Sequence, residues 1–194
     1  MAKPDPAAQK RERKKNIRWV VTIFLVTILI SGTISLLSDV VMSVSTMFVA
    51  FLILLMIIFV GIIFDIIGMA VATADEKPFH SMAARKVLGA QESISLLRNA
   101  ERVSSICNDV VGDICGVVSG SASATIAAQI LSQFDMTWPQ VVSLVMSALA
   151  AGLTVGGKAI GKSFAVNSCT EIVFGVGKML YTLHHLPDLF RKKK

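Results

Sequence analysis

The side chains most able to do chemistry in this sequence lie where an apolar helix would hide them. Asp109 and Asp113 fall within Val103 to Ile130 (VSSICNDVVGDICGVVSGSASATIAAQI), a stretch long enough to cross a bilayer and free of Lys and Arg. Four residues apart, the two carboxylates share one helical face, one turn from each other. Asn108 adjoins the first of them, and Gly112 and Gly116 leave room for another backbone. An ionisable group at bilayer depth costs roughly 2.5–3.5 kcal/mol on insertion scales, so it is expected to face a bundle interior or a watery cavity. Two more charges interrupt apolar runs: Asp65 near the end of one, and Lys158 among the glycines of another. Asp65 reads either as an acid reaching back to interfacial water or as a group lining a central cavity.

Elements must exist to position these groups, and composition says which kind. The chain has 194 residues, 54% hydrophobic and only 16% charged, with a mean hydropathy of +0.68. A soluble domain carries about a quarter of its residues as charges. The expected fold class is therefore an all-α integral membrane protein, with four transmembrane helices and juxtamembrane amphipathic helices. The net charge of +6 then reports orientation in the bilayer, and no nucleic-acid partner is expected. Cys107, Cys115 and Cys169 show no metal-ligand spacing and read as small packing residues rather than a disulfide framework.

In chain order, Met1 to Asn16 is polar and basic and is expected to be a disordered cytoplasmic tail. The first span is Ile17 to Leu37, with Trp19 as an interfacial anchor; no small-residue cleavage site follows it. Ser38 to Ser45 is read as a short turn holding Asp39. The second span, about 46–73, is the most apolar. Asp75 to Arg102 mixes charge with apolar residues at helical spacing, which predicts surface-lying amphipathic helices over about 78–100, opened by Pro78 and divided at Gly89. The third span is 103–130, then a turn holding Asp135 and Trp138, then the fourth span, 140–164.

In that fourth span Gly152 and Gly156, and Gly157 and Gly161, have the spacing that lets helices approach closely in lipid. Two glycine pairs and two lysines also suggest a helix that bends or breaks at Lys158, while Lys162 snorkels to the surface. An amphipathic helix over about 168–186 is expected to stop at Pro187, before the basic end 191–194. His80 and the pair His184–His185 have no partners at metal spacing and read as solvated side chains. Ser104, Ser105 and the run Ser119 to Ser123 read as helix-packing hydroxyls. No nucleophile–base pair or phosphate loop is present, so an enzyme is not expected.

Both short turns lack Lys and Arg, whereas the tail, the middle segment and the C-terminus hold nearly all the basic residues. The positive-inside rule therefore predicts four spans with both termini cytoplasmic, in a cell membrane expected to be bacterial.

From Phe64 onward the chain resembles the transmembrane domain of the CNNM/CorB magnesium and cobalt transport family. Three blocks carry the resemblance. Phe64 to Asp75 (FDIIGMAVATAD) is similar to the family's F-S-G-S-E-x-A-L-x-S-x-D block. Glu101 to Gly116 (ERVSSICNDVVGDICG) is similar to the block that opens D/E-R and runs into a Gly-Asn pair. Gly156 to Ile172 (GGKAIGKSFAVNSCTEI) is similar to G-E-x-x-P-K-x-x-A followed by Asn-Pro-Glu. Together these imply the family's helical fold, a homodimer, a possible further membrane or cytoplasmic regulatory partner, and Mg²⁺ or Co²⁺ as cargo. No CBS-pair domain is expected in this chain.

The departures fall on the site. Lys158 stands where the family's Glu helps hold a dehydrated cation, and Gly161 replaces its Pro, while Lys162 is kept. Asp65 and Ile67 match its serines, Gly68 its Glu, and Val110 and Val111 its Gly-Asn pair. Asp65, Asn108, Asp109 and Asp113 are hard oxygen ligands of the kind Mg²⁺ accepts, usually with several waters kept. A buried Lys158 close to Asp109 or Asp113 would instead make an internal ion pair in the metal's place. Three functions stay open: a divalent-cation transporter or sensor with a modified site, a non-transporting structural or regulatory protein of the same fold, and a proton- or sodium-coupled transporter.

Overall fold

Burial along the second long helix follows a single stripe. Ala50, Leu54, Ile58, Gly61, Asp65 and Gly68 are all buried, at spacings of three and four that line up on one face. The structure is a computed structural model that describes residues 6–134 and 138–191. The first five and last three residues, and Asp135 of the second turn, lie outside the described residues. In chain order the helices are α1 (Pro6–Val44), α2 (Met47–Thr73), α3 (Lys77–Ala84), α4 (Ala90–Arg98), α5 (Ala100–Ser105), a π-helical turn (Ile106–Gly112), α6 (Asp113–Gln133), α7 (Pro139–Asn167) and α8 (Cys169–Arg191). Among the described residues four helices are long and apolar enough to cross a membrane: Ile17–Ser38 within α1, then α2, the continuous rod Ala100–Gln133, and α7. The protein is an all-α integral membrane protein.

α2, α6 and α7 pack as a triangle, with α1 laid against α6 from outside. Ala50, Leu54 and Ile58 of α2 meet Ala122 and Ile126 of α6, with Met146 of α7 closing the cluster. Val110, Ile114 and Val118 present a second face to Ile57 of α2 and Ile23 of α1. In lipid this association rests on close packing rather than on removal of apolar surface from water, so small residues matter. A Cβ on Gly161 would come within 2.8 Å of Ile66 Cγ1, and one on Gly157 would collide with Ile62. The glycines at 157 and 161 therefore seat α7 on α2. Those at 152 and 156 meet nothing within 4 Å and line an open apolar groove of about 710 Å³ between the same two helices, beside Phe59 and Ile160.

A second layer caps one end of the bundle. Phe79 of α3 and Leu97 of α4 pack with Ala70 and Val71 of α2, Ala165 of α7 and Val173 of α8. Burying a side chain such as Phe79, 0% exposed, contributes about 2–3 kcal/mol. α8 docks on α4 through two glycines. Gly89, at φ +89°, lies against the backbone of Lys178, and Gly177 against Ser93, whose hydroxyl is within hydrogen-bond distance of the carbonyls of Gly89 (2.9 Å) and Val173 (3.2 Å). Arg102 lies over the ring of Trp19, 5.2 Å from its centroid, which fixes the start of the first span beside the start of the third.

Several boundaries differ from expectation. The basic segment expected to be a disordered tail is helical from Pro6: Ala7, Ala8, Gln9, Lys10, Arg11 and Glu12 are good helix formers, and Pro opens a helix without losing a bond. The turn expected at Ser38 to Ser45 is mostly the end of α1, because Val40, Val41 and Met42 bring no Gly or Pro to stop it. α7 runs unbroken through Lys158, because the glycines at 157 and 161 are used for helix contact rather than for a bend. α8 continues past Pro187 to Arg191; proline removes one ladder bond, the one to the carbonyl of Leu183, itself an exposed residue.

Candidate functional site

Asp65 sits in the middle of the buried stripe of α2 and is only 4% exposed. It lines the bundle interior, and the interfacial alternative is set aside by that burial. Lys158 reaches it from α7: Nζ stands 3.5 Å from Asp65 Oδ1, with the two side chains 22% and 6% exposed. The lysine passes over Gly112, where a Cβ would lie 3.2 Å from Nζ and 3.9 Å from Asp65 Oδ1. Gly112 is thus the opening through which the pair forms. At 3.5 Å the contact is longer than the roughly 2.7–2.9 Å of a tight charge-assisted hydrogen bond.

One turn along α2, Gly68 makes a second opening. The amide of Asn108, carried by the π-helical turn, packs directly on it. Asn108 Nδ2 donates to Ser104 Oγ at 3.3 Å. Among the described residues neither Asp65 Oδ2 nor Asn108 Oδ1 meets a hydrogen-bond donor, and both atoms are buried. A buried oxygen left without a partner costs about 1–3 kcal/mol, more when it is charged, so the arrangement holds acceptor capacity in reserve. Wide π turns of this kind recur at functional sites, because the extra residue re-aims the side chains around it.

Asp109 and Asp113 are placed differently from expectation. Both are exposed on the outer face of the third rod, and Asp109 Oδ2 accepts a hydrogen bond from Ser105 Oγ at 2.8 Å. The partner of Lys158 is Asp65, neither Asp109 nor Asp113. The physical reason is the packing of the third rod: Val110 of the π-helical turn and Ile114 and Val118 of α6 claim the inward face, and the two acids fall outside that row. The sequence names both Asp65 and Lys158 as candidates but suggests Asp109 or Asp113 as the partner of the lysine, because the true pair is separated by 93 positions. The three-and-four spacing of 50, 54, 58, 61, 65 and 68 is the signal that turns Asp65 inward.

The four oxygen-bearing side chains expected to surround a divalent ion therefore do not converge. Asp65 and Asn108 share the interior; Asp109 and Asp113 look outward. No group of three His, Cys, Asp or Glu side chains able to hold a metal occurs among the described residues. An ammonium 3.5 Å from Asp65 Oδ1 would repel a divalent ion placed on the same carboxylate. Compared with protein-family models, curated proteins and solved structures, the chain matches none.

Proposed function

We propose that this is a membrane protein of CNNM/CorB-like design whose central site is filled by its own cation, and that its role is structural or regulatory rather than divalent-ion conduction. The observation that carries the reading is the Lys158–Asp65 pair, with Nζ 3.5 Å from a carboxylate that is itself buried. An ammonium tethered to α7 neutralises the buried carboxylate of Asp65 and repels a second positive charge. It also locks α7 to α2, since parting the helices would strand two charges in a poorly solvated interior. On this reading the regulatory partner, or a second copy of the chain, meets a bundle whose core does not have to open.

A second reading is favoured by the unpaired Asp65 Oδ2 and Asn108 Oδ1. If Lys158 withdraws, these oxygens become ligands for a partly hydrated Mg²⁺, and the bundle is a gated transporter or sensor. The deciding measurement is Mg²⁺ entry into liposomes holding the purified protein, read by an enclosed dye, for the native chain and for Lys158→Glu. The ion-paired reading expects silence from the native chain. Uptake by native protein above empty liposomes overturns it. Uptake by Lys158→Glu alone assigns the lysine the place of the ion.

A further inference from the structure

Among the described residues the Arg98 side chain makes no ion pair or hydrogen bond, and it lines a pocket that holds no acidic side chain. The pocket, about 370 Å³ between α3 and α4, is lined by the polar side chains of His80, Gln91, Ser95, Arg98 and Asn99 over Ile94. Every one of those five can donate a hydrogen bond, and none of the lining residues is acidic. The nearby carboxylate is that of Glu76, 3.3 Å from His80 Nε2, where it holds the imidazole rather than lining the pocket. Asn99 Nδ2 is already given to the carbonyl of Ser95 at 2.9 Å, which fixes the rim between α4 and α5.

Position narrows the ligand. Arg98 ends α4, and across the break at Asn99 the next helix carries Arg102, whose guanidinium rests on Trp19. Tryptophan at the end of a membrane span commonly marks the headgroup layer, and the pocket-lining Arg98 is four positions in sequence from the arginine that rests on Trp19. A guanidinium surrounded by neutral donors suits a phosphate, whose oxygens it can bind through two parallel bonds.

We infer that the α3–α4 pocket is a phosphate-binding site, with Arg98 as its anchor and Gln91 and Ser95 as accessory donors. The phosphate is supplied either by an anionic lipid headgroup at the bilayer surface or by a free phosphate-bearing solute. The site stands apart from the Asp65–Lys158 pair and holds or fails independently of the function proposed above.

The test is native mass spectrometry of the detergent-purified full chain with phosphatidylglycerol and phosphatidylcholine supplied separately. Phosphatidylglycerol is expected to stay bound preferentially, and Arg98→Gln to weaken that retention about tenfold, the scale of a charge-assisted contact. Arg85→Gln, which removes an exposed charge outside the pocket, is expected to leave retention unchanged and so separates a site from general attraction to basic protein. Inorganic phosphate is then added. Displacement of the lipid by millimolar phosphate shows that the phosphate alone suffices; failure to displace assigns the site to the lipid headgroup. The inference is overturned if Arg98→Gln, confirmed folded by its circular dichroism, retains phosphatidylglycerol as well as the native chain, or if Arg85→Gln loses as much.

Discussion

The amide of Asn108 rests on the bare backbone of Gly68. A Cβ at that position would collide with Asn108 Oδ1 and come within 2.7 Å of its Cγ and 3.0 Å of Cys107 Cβ. The π-helical turn can lie this close to α2 only because position 68 has no side chain. Gly68→Ala is expected to destabilise the protein by about 1–3 kcal/mol, the usual cost of overpacking. Adding Asn108→Ala should recover most of the loss, since it removes the amide that the methyl group strikes. Thermal unfolding of the two variants in detergent checks this; equal melting temperatures for Gly68→Ala and native protein would mean that the contact is not tight.

Lys158→Met leaves Asp65 buried without its counter-charge, and a loss of about 3–5 kcal/mol is expected. Lys158→Met with Asp65→Asn removes both charges and should return near native stability. The same lysine variant combined with Asp109→Asn or Asp113→Asn should stay unstable, because those acids face outward. Denaturant titration of the four variants reads the result. Rescue by Asp109→Asn would show that a different ion pair forms in the membrane.

Along α7 two glycine pairs should respond in opposite ways. Gly161→Ala drives a methyl group into Ile66, which should loosen α7 from α2 and lower stability by about 1–3 kcal/mol. Gly156→Ala meets open space and should be neutral or stabilising by about 0.4–1 kcal/mol, since alanine has less freedom to lose than glycine. Melting temperatures in one detergent distinguish the two. A loss for Gly156→Ala equal to that of Gly161→Ala would indicate that the outer groove is covered by another helix.

The four apolar helices could be read from the sequence because length and hydropathy alone define a span in lipid. The existence of the short helices could be read as well: Pro78 lies in the first turn of α3 and Gly89 precedes α4, each a local signal. Which acid faced inward could not be read from Asp109 and Asp113 themselves. Facing is decided by which side of the rod packs against α1 and α2, and that depends on Val110, Ile114 and Val118 in a helix whose winding changes at the π turn. The pairing of Lys158 with Asp65 depends on the depth at which α7 seats on α2, which is set by Gly157 and Gly161 against Ile62 and Ile66. The extension of α1 to Pro6 was hidden by its charge, since a basic composition that keeps a segment in water does not keep it from coiling.

The π-helical turn divides the third rod into two halves that do not share a register. An α-helix turns about 100° per residue, so losing one codon within Asp113–Gln133 would swing every later residue of the rod by about that angle. Within Ile106–Gly112 the same loss would remove the extra residue of the wide turn and let the rod run on as ordinary α-helix, with Ile114 and Val118 near their present faces. For this gene the wide turn is the place where a one-residue deletion in a membrane helix is absorbed locally.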